Sequence, residues 1–185
     1  HTAPSTDERG GYRTVANGKD LAEMIGSLMK AGTFALDSET TSLFPLEATI
    51  VGLSFSCKSH QAWYVPFNAD PPVLPGGPKA LLDALKPLLT NPKYKRCGQN
   101  TKYDWLVLLA AGLRLPPPDF DTMVASYCIA NATRRHNLDE LALVYFDLVK
   151  IPTSALIGTG AKQVTMDQVP VEKVAGDKVT GATIN

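Results

Sequence analysis

The sequence predicts an α/β fold, a mixed β-sheet with helices packed around it. Three observations lead there. Extended apolar stretches crowd the first part of the chain, joined by links so short that only antiparallel neighbours can share them. Strand-then-helix units follow, the pattern of parallel pairing. The chain has 185 residues, 44% hydrophobic and 19% charged, which suits one globular domain.

The elements follow in order. Residues 1–11 are polar with Pro4, Gly10 and Gly11, and are expected to be a flexible lead-in without the apolar core of a signal peptide. Tyr12 to Val15 predicts a short strand. Leu21, Met24, Ile25, Leu28 and Met29 fall at helical spacing, with Asn17 or Gly18 before them and Gly32 after. Thr33 to Asp37 predicts a buried strand. Ala48 to Ser56 is a strand on whose one face Val51, Leu53 and Phe55 are expected together. Gln61 to Phe67 follows after the turn Lys58-Ser59-His60, and these three strands predict an antiparallel meander. The four prolines and two glycines of Asn68 to Pro78 predict a loop. Lys79 to Leu89 predicts an amphipathic helix, with Pro87 in its last turn. Tyr94 to Gly98 predicts a strand running into a helix from Lys102 to Ala111, closed by Gly112. After Pro116-Pro117-Pro118, Asp121 is expected to cap a helix reaching Ala130. Asn137, with Glu140, is expected to cap a helix from Leu138 to Tyr145. His136 reads as structural. Ile151 to Ala161 predicts a loop, and Asp167 to Val174 a helix start.

Composition excludes some functions. Lys and Arg number 18 and Asp and Glu number 18, so bulk charge gives no attraction to nucleic acid, although a local groove remains open. No apolar run is long enough to span a membrane. Three scattered cysteines, Cys57, Cys97 and Cys128, fit reduced thiols in a cytoplasmic setting.

The candidate chemistry starts at Asp37 and Glu39. Residues two apart on a strand share a face, so both carboxylates converge. Their repulsion either raises one pKa or is relieved by a cation, and hard oxygen ligands suit Mg²⁺ or Mn²⁺. A solvated strand end is the alternative. Asp104, in the first turn of an apolar helix, is a carboxylate that needs a partner: either the helix dipole or the same metal.

These residues resemble a known family. Leu36-Asp37-Ser38-Glu39-Thr40 with Leu43, then Val51-Gly52-Leu53-Ser54-Phe55, resemble the first exonuclease motif of bacterial DNA polymerase I (family A). Gly98-Gln99-Asn100-Thr101-Lys102-Tyr103-Asp104 resembles the second. Phe120 to Tyr127, His136 to Ala142, and Ile157 to Gln163 with Val164-Thr165-Met166 also resemble that domain. The likeness covers about Tyr12 to Lys173, and the five segments occur in order. The resemblance implies a ribonuclease-H-like fold and 3′–5′ proofreading exonuclease activity on single-stranded DNA 3′ ends. It implies two divalent metals about 3.5–4 Å apart, held by four carboxylates. Asp37, Glu39 and Asp104 match three of these, as catalytic and metal residues. Thr40, Leu43, Gln99, Asn100 and Tyr103 match the DNA-binding set, with Leu43 at the terminal base and Asn100 and Tyr103 along the strand. A C-terminal polymerase domain is expected in the parent protein, with a bacterial, nucleoid-associated location.

The third motif departs. The family has Tyr-x-x-x-Asp after a segment like Pro170-Val171-Glu172-Lys173. Here an ungapped alignment puts Asp177 at the Tyr position and Gly181 at the Asp position. Asp177 is a weak substitute, so residues 12–185 are expected to form an exonuclease-like domain truncated or altered at its third motif. Weak or no activity is expected of the chain as written. Two other readings are a degenerate scaffold domain of a polymerase and a ribonuclease-D-like RNA exonuclease.

Overall fold

A computed structural model describes residues 11–130, 135–149 and 153–171. The predicted α/β architecture is observed. Six strands form one mixed sheet: β1 (Gly11–Thr14), β2 (Thr33–Thr40), β3 (Ile50–Lys58), β4 (Gln61–Pro66), β5 (Lys95–Gly98) and β6 (Phe120–Asp121), in the order β1-β4-β3-β2-β5-β6. The meander β2–β3–β4 is antiparallel, as the short links required. β5 and β6 add in parallel on one side, and β1 pairs in parallel with β4 at the other edge. The six helices are α1 (Gly18–Ala31), α2 (Gly77–Leu89), α3 (Thr101–Ala110), α4 (Thr122–Ala130), α5 (Leu138–Phe146) and the short α6 (Ser154–Ile157).

Local chemistry fixes most boundaries. The Asn17 side chain accepts from Lys19 N at 2.9 Å and Asp20 N at 3.1 Å, and Gly32, at φ 74°, takes the left-handed conformation that ends α1. Pro87 lies inside α2, which stops two residues later. Asn137 caps α5 through Glu140 N at 2.8 Å. The main core packs Leu21, Met24 and Leu28 of α1 and Leu81, Leu85 and Leu88 of α2 against Phe34, Leu36, Leu53 and Phe55 of the sheet. Burying one such side chain contributes about 1.5–3 kcal/mol.

Three expectations change. β2 continues beyond Asp37 to Thr40, so both acidic residues lie within the central strand rather than past its end. The residues 151–161 include α6 rather than loop alone, and only a 3₁₀ turn (Met166–Gln168) precedes Pro170, while 172–174 lie outside the described residues. The face assignment on β3 breaks at Val51. Glu39 pairs with Gly52, but Thr40 pairs with Ile50, so one residue of β3 is left over as a bulge. Val51 therefore packs with Tyr64, Met166 and Val169 on the opposite face, while Ile50 turns to the main core with Leu53 and Phe55.

Candidate active site

Asp37 and Glu39 share the face of β2 opposite Phe34 and Leu36. Glu39 is buried at 9% exposure, and Asp37 is half-buried. A cavity of about 250 Å³ opens beside Asp37, lined in part by Ala35, Ser54, Gly98, Gln99 and Thr122.

Asp104 is 4% exposed in the first turn of α3. Its Oδ1 accepts from Ser38 N at 2.9 Å and from Ser38 Oγ at 2.6 Å. Ser38 lies between the two acidic residues and points to the other face, so Asp104 is locked to the centre of the acidic strand from behind. Burial pushes its carboxyl up from 3.8 to about 6, Ser38's two hydrogen bonds oppose the rise, and the charge of Glu39 adds to it. Among the described residues no three His, Cys, Asp or Glu side chains gather closely enough to hold a metal ion.

The turn from β5 to α3 is held by Asp121. Its Oδ1 accepts from Met123 N at 2.8 Å, capping α4 as expected, and also from Asn100 N at 3.0 Å; its Oδ2 accepts from Thr101 Oγ1 at 3.1 Å. Burial acts to raise its carboxyl, and the donors of Val124, Asn100, Thr101 and Met123 outweigh it, holding the group below the usual range. Asn100 sits at φ 61°, a left-handed conformation that asparagine tolerates, and its side-chain oxygen accepts from Lys102 Nζ. Gln99 spans two segments: its Nε2 donates to the His136 carbonyl at 2.7 Å and its Oε1 accepts from Thr122 Oγ1 at 2.5 Å. His136 is buried, bonded to Ser126 through Nδ1 at 2.9 Å and stacked on Tyr127 at 3.7 Å, in keeping with a structural role.

Tyr103 and Thr40 come together. The Tyr103 hydroxyl donates to the Ser42 carbonyl and lies 2.5 Å from Thr40 Oγ1. They pin the start of the β2–β3 connection, from which Leu43 projects at 91% exposure. Phe44 and Leu46 are exposed beside it at 70% and 68%. The sequence reading passed over these two, although an apolar cluster within a connection was visible there. It also passed over Ser38 as the anchor of Asp104, for which no local signal exists. Asp177 lies outside the described residues.

The 3′–5′ exonuclease family matches residues 12–173. The chain belongs to that family. DNA polymerase I of Pseudomonas aeruginosa is 37% identical over 166 residues, covering 88% of this chain and 18% of that protein. DNA polymerase I of Chloroflexus aurantiacus is 34% identical over 158 residues, covering 84% and 16%. The chain thus spans less than a fifth of the length of these relatives. The exonuclease domain of DNA polymerase I is the reading these relatives support. Metal dependence is a general trait of the family, and one structure sharing its fold is described with bound Mg²⁺.

Solved structures share the fold. Pol1 from M. smegmatis, in complex with DNA primer-template and dNTP, matches at TM-score 0.61 and 20% identity over 75% of this chain and 23% of that one. Escherichia coli RNase D matches at TM-score 0.55 and 16% identity over 77% and 35%. The ribonuclease likeness is one of fold, whereas the likeness to DNA polymerase I extends to sequence. No helix among the described residues is long and apolar enough to cross a membrane.

Proposed function

We propose that residues 12–185 are an exonuclease domain that removes nucleotides from single-stranded DNA 3′ ends, with Asp37, Glu39 and Asp104 as its catalytic carboxylates. The observation that carries this is Asp104, buried and fastened to Ser38 within the field of Glu39. A carboxylate held there at a cost in desolvation and repulsion is one that a cation stabilises. The donors are hard oxygens, which fit Mg²⁺ or Mn²⁺. A bound divalent cation supplies Lewis-acid charge at the scissile phosphate.

The chain's own groups do the rest. Asp104 is oriented by Ser38 before any ligand arrives. Thr40 and Tyr103 fix the connection that presents Leu43 to the terminal base, and Phe44 and Leu46 widen that apolar surface. Stacking on such a surface is sequence-tolerant, as an end-trimming enzyme requires. Gln99 shapes the turn at which Asn100 stands. The natural partner in this reading is a polymerase domain of the same parent protein, in the bacterial cytoplasm at the nucleoid.

The third motif favours a second reading. With Asp177 and Gly181 at the positions of the family's Tyr and Asp, the water-orienting and fourth metal groups are altered, and trimming is weak or lost in a domain that keeps its fold. End-labelled single-stranded DNA incubated with Mn²⁺ separates the two. Trimming that disappears in Asp37→Ala establishes the enzyme. No trimming, but recovery in the pair Asp177→Tyr with Gly181→Asp, establishes the degenerate domain. Trimming of RNA in preference to DNA would overturn both.

A further inference from the structure

Tyr64 holds the largest fully buried side chain in the described structure, at 0% exposure, and its hydroxyl finds no hydrogen-bond partner among the described residues. A buried hydroxyl left unpaired costs about 1–3 kcal/mol, and phenylalanine would fill the same space without that cost. The position of the hydroxyl is specific. It occupies the place of a missing side chain on Gly52: a Cβ built there would stand 2.2 Å from the Tyr64 oxygen. Gly52 is the direct cross-strand partner of Glu39. Opposed residues of an antiparallel pair project to the same face with Cβ atoms about 4.5–5.5 Å apart. The phenol oxygen therefore lies beside Glu39 on the acidic face, at a separation that the two further carbons of the glutamate side chain close by rotation.

Two further facts narrow the acceptor. Ser54, the cross-strand partner of Tyr64, also has a buried hydroxyl with no partner, so the two hydroxyls do not satisfy one another. Burial first, and then the charge of Glu39, push the Tyr64 phenol above its usual range, so the oxygen keeps its proton and is a donor facing a carboxylate.

We infer that Tyr64 is a positioning residue for Glu39, its hydroxyl donating the hydrogen bond that orients the Glu39 carboxylate. This rests on Glu39 being a site carboxylate, as proposed above. Gly52 serves the same end, since any side chain there would displace the phenol. Charge-assisted hydrogen bonds of this kind are short and roughly twice as strong as neutral ones.

The test has two arms on the intact chain. In metal-free protein, proton NMR should show a slowly exchanging, downfield Tyr64 hydroxyl that vanishes in Tyr64→Phe and moves upfield in Glu39→Gln. A signal indifferent to Glu39→Gln, or no protected hydroxyl at all, overturns the inference. In the second arm, Mn²⁺ is titrated and the free ion followed by electron paramagnetic resonance. Tyr64→Phe should weaken binding about tenfold while its melting temperature holds or rises, which lost packing alone would not produce. Equal Mn²⁺ affinity in the two proteins overturns it. Parent protein that binds no Mn²⁺ counts against the proposed metal site, and the hydroxyl signal still decides the role of Tyr64.

Discussion

Replacing Asp104 with Asn should stabilise the metal-free protein while abolishing its response to metal. The Asp104 carboxyl is pushed to about 6 by burial, with Glu39 adding to the rise, against 3.8 for the ordinary group. The folded state therefore binds this proton more tightly than the unfolded chain. That contribution is complete below pH 3.8 and is lost as pH rises through about 6. At pH 8 the deprotonated group costs the fold about 3 kcal/mol, and at pH 5, where the unfolded carboxyl has mostly ionised, about half as much. Asparagine keeps an oxygen to accept from Ser38 and removes the charge. For a chain of this size about 1 kcal/mol moves the midpoint by roughly 2–4 °C. Asp104→Asn should thus melt roughly 6–12 °C above the parent at pH 8, and about half as far above it at pH 5. Scanning calorimetry in a chelator at both pH values measures this. A variant that melts no higher than the parent at pH 8, or gains no more at pH 8 than at pH 5, refutes the account of Asp104 as a buried, repelled carboxylate.

Two further outcomes are expected. Gly52→Ala places a Cβ 2.2 Å from the Tyr64 oxygen and 2.3 Å from its ring, so the sheet must open or the phenol must leave. A loss of about 1–3 kcal/mol should appear in chemical denaturation, and a neutral result would place Tyr64 elsewhere. Asp121→Ala removes the cap of α4 and the ties to Asn100 and Thr101, and should cost about 1–2 kcal/mol at pH 7. Because its hydrogen bonds, against the effect of burial, hold the Asp121 carboxyl below the usual range, its contribution is present above the unfolded pKa and fades as pH falls. The gap between parent and variant should therefore narrow toward pH 3, and a gap constant with pH would count against the carboxylate as acceptor.

Local patterns were legible in the chain itself. Helical spacing and caps at Asn17, Asp121 and Asn137, the meander enforced by short links, and the shared face of Asp37 and Glu39 all follow from interactions between residues a few positions apart. The ordered segments from Leu36 to Met166 named the family for the same reason: each motif is contiguous. What tertiary structure decided is everything set by pairing register and by distant packing. The bulge at Val51 depends on how β3 meets β2, and periodicity alone puts Val51 with Leu53 and Phe55. Ser38 is 66 positions from Asp104, and no rule of spacing joins them. Tyr64 reaches the acidic face only because Gly52 leaves its place open between Glu39 and Pro66 across the sheet. The sequence by itself determined which residues carry the chemistry; only the folded sheet decided how Asp104 is held and which buried hydroxyl stands beside Glu39, because hydrogen-bond register is a property of strands that meet in space and not of either strand alone.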